Sequence, residues 1–261
     1  MAGARERRPP SNRPVRTDGY AEASRRPLEI LFFLLPLLAL YEFGLATALR
    51  HGDAGIEIIA QKSLAQLLRA AGVRPENFGL SLLSLPALGI VLTLVAWQVI
   101  GRFPWIVRLR PVFGMYAESA AMAVPLAAIN ALVTRRVAGD AASLGALAGH
   151  GTLTRVTGAI GAGVYEELLF RMGLMGALHM LLSDVAGWKE PRAWLAALAA
   201  SAAVFSWYHA WVPGHAPIGV WGHAFLALAG AWWGLLYHWR GFGVAVGAHV
   251  AYDLTVLLPA P

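Results

Sequence analysis

Long uncharged runs broken by short polar stretches set the pattern of this chain. Apolar stretches near the ~20 residues that a bilayer core requires occupy residues 28–49, 80–100, 114–133, 193–210, 221–238 and 242–258. A glycine-rich segment, 141–164, leads into a further span that ends near Leu182. Residues 56–73 are different. Apolar and polar positions alternate there at helical period, which predicts an amphipathic helix lying in the membrane interface. Trp239-Arg240-Gly241 leaves room only for a tight turn, so the last two spans form a helical hairpin. The pattern predicts an all-α, polytopic membrane protein with about 7–8 transmembrane helices. It contains no internal repeat, and residues 28–261 read as a single membrane domain.

Composition agrees with that picture. The chain is 57% hydrophobic and only 14% charged, against ~25% charged for soluble domains, and its mean hydropathy is +0.56. It has no cysteine, which excludes a disulfide partner and any thiolate metal site. The net charge of +6 does not point to nucleic acid, because much of the excess sits in residues 1–27, with seven arginines against three acids. That segment reads as a disordered basic tail, cytoplasmic by the Lys/Arg rule and placed to meet anionic lipid headgroups. Ile30–Leu49 contains Pro36 and Glu42 and lacks a small-residue cleavage site, so it reads as a retained helix rather than a signal peptide. Arg102, Arg108, Arg110, Lys189, Arg192 and Arg240 then fall on the inner side, and Arg135 and Arg136 fall against the rule on the outer side. The expected location is a bacterial inner membrane, with the N-terminus in the cytoplasm.

Against this background, charge inside a span stands out. Glu166, Glu167 and Arg171 form Glu-Glu-x-x-x-Arg in apolar sequence, where each ionisable group costs at least ~2.5–3.5 kcal/mol. Glu167 and Arg171 are four apart and can pair on one helix face, leaving Glu166 to look elsewhere. Two more polar pairs have the same spacing: Phe205 with His209, and His249 with Asp253. A carboxylate one turn from an imidazole can fix its tautomer or share acid–base work with it. Histidines 51, 150, 179, 215, 223 and 238 read as ordinary satisfied or interfacial residues.

The ordered set Glu-Glu-x-x-x-Arg, Phe-x-x-x-His and His-x-x-x-Asp resembles the CPBP family (CAAX protease and bacteriocin-processing, or Abi). Its members are glutamate-dependent intramembrane endopeptidases, of which the CAAX prenyl endopeptidase is the best known. The resemblance covers about residues 140–258, a protease-like core. It implies that Glu166 and His209 activate a water, that His249 with Asp253 stabilises the oxyanion, and that Glu167, Arg171 and Phe205 support the site. Asp253 stands where the best-known members have Asn. An ionised aspartate has no proton to give, so Asp253 either carries a proton or orients His249. The implied reaction uses no cofactor. The implied substrate is a membrane-associated protein or peptide, cut near one end: a leader, a bacteriocin precursor or a C-terminal sorting helix.

Three alternatives are weighed beside this reading. His209, His249, Asp253 and Glu166 form an acceptable zinc set in type and number, though the first motif brings no histidine of its own. A non-proteolytic immunity or scaffold protein could use the same fold. A proton-coupled transporter could string Glu42 and Asn130 along a path with the motif residues, but the duplicated halves of a carrier are not found. One difficulty remains for the protease: the predicted topology places His209 near the outer end of its helix and His249 toward the inner half.

Overall fold

The computed structural model of the protein describes residues 19–50, 69, 85–136, 151–210 and 218–258. Every regular element among them is a helix: α1 (Tyr20–Ala23), α2 (Pro27–Arg50), α3 (Leu85–Ile100), α4 (Leu109–Arg136), α5 (Thr152–Val185), α6 (Glu190–Ala210), α7 (Val220–Arg240) and α8 (Phe242–Leu257). Helices α2, α4 and α5 are long and apolar enough to cross a membrane, and α3 and α8 contribute shorter apolar helices. The chain is thus a polytopic helical membrane protein. The amphipathic helix read at 56–73 lies outside the described residues, apart from Arg69. So do residues 141–150 of the glycine-rich segment, with His51, His150 and His215.

The helix ends follow from local chemistry. Pro27 opens α2, where its missing N–H costs nothing and its φ is already helical. Pro36 and Pro125 lie inside α2 and α4, as membrane helices tolerate when neighbouring groups satisfy the freed carbonyl. Gly241 makes the turn between α7 and α8 with φ 90°, a conformation that a side chain would strain. Its N–H donates to the Leu236 and Tyr237 carbonyls at 3.2 and 2.9 Å, closing α7.

Helix α8 is the axis of the bundle. It packs against α2, α4, α5 and α7, and every residue from Phe242 to Val250 is buried. A helix apolar on all sides belongs in the middle of a protein, and the small residues of α8 let its neighbours come close. It meets α5 closely at Gly163, where an added Cβ would lie 2.5 Å from Val250 Cγ2 and 2.8 Å from its backbone nitrogen. Gly163→Ala is therefore expected to force α5 and α8 apart at a cost of about 1–3 kcal/mol. A lowered thermal midpoint of the detergent-solubilised protein checks this.

The sequence reading carried a disordered tail through residue 27; within that stretch Tyr20–Ala23 form helix α1 and dock on the bundle. Tyr20 Oη donates to Glu118 Oε2 at 2.6 Å, and Arg240 Nη2 donates to the same oxygen at 2.8 Å and to Ser24 Oγ at 3.2 Å. The Arg240 guanidinium also lies over the Tyr20 ring, 5.3 Å from its centroid. Composition alone marks residues 19–26 as polar. Their order comes from two charges on α4 and α7, far away in the sequence.

Candidate active site

Helix α5 supplies the carboxylates. Its α-helical part ends at Glu167, and the backbone continues from Leu168 to Met175 with the wider π-helical winding, a feature frequent at functional sites. Ser201 Oγ of α6 donates to the Phe170 carbonyl at 2.9 Å inside that stretch. Adjacent residues on a helix point in different directions, so the two glutamates have different surroundings.

Glu167 is fully buried and tied on two sides through one oxygen. Its Oε1 lies 3.1 Å from Arg171 Nη1 and 2.7 Å from His249 Nδ1. Arg171, also fully buried, donates from Nη2 to the Gly230 carbonyl at 3.1 Å. Its guanidinium sits 4.6 Å from the Phe205 ring centroid, a cation–π contact. Buried ions of this kind persist only when paired and hydrogen-bonded. Glu167 is thus the hub that links α5 to α8, while Arg171 links α5 to α6 and α7.

Glu166 turns the other way, toward the two histidines. Its Oε2 lies 3.6 Å from His209 Nε2 and 3.8 Å from His249 Nε2. Asp253 Oδ2 lies 3.7 Å from the same His249 nitrogen. These separations are too long for direct hydrogen bonds and suit a small group held between the side chains.

The ring protons follow from the partners. His209 Nδ1 is 2.8 Å from the Phe205 carbonyl, and a carbonyl only accepts. Nδ1 therefore carries the proton, and in neutral His209 the Nε2 facing Glu166 is an acceptor. His249 Nδ1 likewise donates to Glu167, which leaves Nε2 on the side of Glu166 and Asp253. The partner that fixes the His249 tautomer is thus Glu167, on another helix; Asp253, one turn away on α8, faces the opposite nitrogen.

All seven residues singled out from the sequence converge: Glu166, Glu167, Arg171, Phe205, His209, His249 and Asp253. The depth conflict between His209 and His249 does not arise, because both imidazoles reach the same oxygen of Glu166. Phe205 and His209 pack one turn apart, with centroids 4.6 Å apart and planes tilted by 50°. Of the histidines read as ordinary, His179 pairs with Glu190 at 2.9 Å, His223 contacts Ser206 at 3.1 Å and His238 packs on Trp194 at 4.3 Å. Among the described residues, no group of three or more His, Asp or Glu side chains is arranged to hold a metal ion.

Two contributions from α7 have no sequence signal. Trp233 stacks on the His249 ring, with centroids 5.1 Å apart and planes 14° apart, and the Gly230 carbonyl holds Arg171. Neither belongs to a polar motif, and both contacts are distant in the sequence.

Residues 149–255 match the family model of the type II CAAX prenyl endopeptidase Rce1-like proteins, a segment that contains every residue of the three motifs. No curated protein and no solved structure matches the chain significantly.

Proposed function

We propose, from the match of residues 149–255 to the Rce1-like family model and the geometry of the site, that the chain is a metal-independent intramembrane glutamic endopeptidase of the CAAX-protease (CPBP) type acting on a membrane-associated protein or peptide. The observation that carries this reading is the facing of two acceptors, Glu166 Oε2 and His209 Nε2, at 3.6 Å. A water between them donates one O–H to each and presents its lone pair to a carbonyl carbon. As the C–O bond forms, one water proton passes to Glu166. The carbonyl oxygen becomes an oxyanion beside His249, whose Nε2–H stabilises it when the ring carries both protons. Such a donor in a dry site is worth roughly 2.7–4 kcal/mol. Glu167 and Asp253 hold the charge of that ring from its two sides. When the tetrahedral species collapses, Glu166 returns its proton to the departing amine nitrogen, the second water proton passes from the new carboxyl group through His209 Nε2 to that amine, and the products are a carboxylate and an ammonium group.

The convergence of the motifs on one point supports a peptidase over a proton carrier, which needs polar groups strung along a path. The substrate class that fits this reading is a leader, a bacteriocin precursor or a C-terminal sorting helix in a bacterial inner membrane.

The test is a comparison of protein termini in host membranes that carry wild type or Glu166→Gln, read by mass spectrometry. Specific termini are expected to vanish in the variant, and cleavage of a peptide spanning them by the purified wild type is expected to persist in a zinc chelator. Unchanged termini, with the variant complementing a deletion, would mean a scaffold or immunity role. Loss of cleavage in the chelator would mean a metal enzyme.

A further inference from the structure

We infer that Trp233 is a positioning residue for His249, and that α7, which carries none of the polar motifs, is the template that sets the geometry of the site. The role for His249 rests on the peptidase reading above; the orientation of its ring does not.

The argument starts from what one hydrogen bond leaves free. Glu167 holds His249 by Nδ1 at 2.7 Å. A single N–H···O contact lets a ring swing about that axis and carries Nε2 through an arc. The flat face of a buried indole removes the swing. Trp233 is 1% exposed, and its plane departs from that of the imidazole by only 14° at a centroid distance of 5.1 Å. Edge contact and face contact together leave one orientation, with Nε2 directed toward Glu166 and Asp253 at 3.8 and 3.7 Å. The indole is itself held: it packs against Tyr252, the neighbour of Asp253, at 6.0 Å.

The same face of α7 also fixes the other end of the charge network. Gly230 lies three residues before Trp233, so the two share a helix face. Its carbonyl takes the Arg171 guanidinium at 3.1 Å. A Cβ at Gly230 would stand 3.0 Å from Ala202 Cα, so the absence of a side chain allows α7 to lie close against α6. One turn of α7 thus sets Arg171 on one side of Glu167 and His249 on the other. When a ring carries an oxyanion donor, misplacement by about an ångström can cost ~10²-fold in rate.

The test compares wild type, Trp233→Phe and Trp233→Met in lipid nanodiscs. Histidine-labelled protein gives the His249 ring signals, assigned by difference from His249→Gln. A stacked indole shifts these ring protons upfield by its ring current; Phe is expected to retain part of the shift and Met to lose it. With a peptide spanning a terminus recovered from the Glu166→Gln comparison, Trp233→Met is expected to lower kcat roughly 10–100-fold with KM unchanged, and Trp233→Phe to restore most of it. A packing role would rank the variants by thermal midpoint rather than by planarity. The inference is overturned if wild type shows no upfield shift, or if Trp233→Met turns over like wild type. If Glu166→Gln changes no terminus, the peptidase reading fails, and the ring-current comparison still decides whether Trp233 orients His249.

Discussion

Glu166→Gln is expected to lower kcat by ~10²–10⁴-fold, the range of a lost general base, with KM little changed. The substitution keeps the shape and removes only the chemistry. A carboxylate accepts at both oxygens, whereas the amide offers one acceptor and one donor. Opposite His209 Nε2, whose proton has been ruled out by the Phe205 carbonyl, an amide nitrogen can no longer accept from a shared water, and an amide oxygen can accept without taking the proton. Binding contacts along the substrate are untouched, so the loss belongs in turnover. Progress curves in nanodiscs on a peptide spanning a recovered terminus check this. Turnover near wild type in Glu166→Gln would end the assignment of Glu166 as the base.

The second large effect falls on stability. Arg171→Leu leaves Glu167 buried without its cation, and breaking a buried pair from one side costs about 3–5 kcal/mol. The same substitution removes the hydrogen bond to Gly230 and the contact with Phe205. The double variant Glu167→Leu with Arg171→Leu removes both charges, and much of the lost stability is expected to return. Its activity is not, because His249 Nδ1 then has no acceptor. Thermal midpoints from fluorescence-detected size exclusion, with cleavage measured alongside, separate the two effects. An Arg171→Leu variant as stable as wild type would refute the view of Glu167 and Arg171 as a buried pair that holds the bundle.

What could be read from the sequence is what depends on near neighbours. The first span, read at 28–49, is helix Pro27–Arg50, because its length and apolarity are local. The last hairpin was visible in Trp239-Arg240-Gly241, where glycine takes the positive φ. The Glu167–Arg171 pair and the Phe205–His209 ring contact follow from a spacing of four on one helix. What could not be read depends on packing. The contact of Glu167 with His249 spans 82 positions. It reverses the simplest inference from spacing, that Asp253 orients the ring from one turn away. The winding at 168–175 leaves no mark in the hydropathy, and Trp233 is one of ten tryptophans. The docking of Tyr20 and Ser24 was hidden for the same reason, since their partners are Glu118 and Arg240.

That last contact bears on how the molecule is made. A clasp between residues 20–24 and Arg240 cannot close until the ribosome has delivered the end of α7. Until then Glu118 waits in α4 without its arginine. Residues 20–24 are thus secured only after α7 has been made, and their docking reports that Arg240 has arrived beside α4.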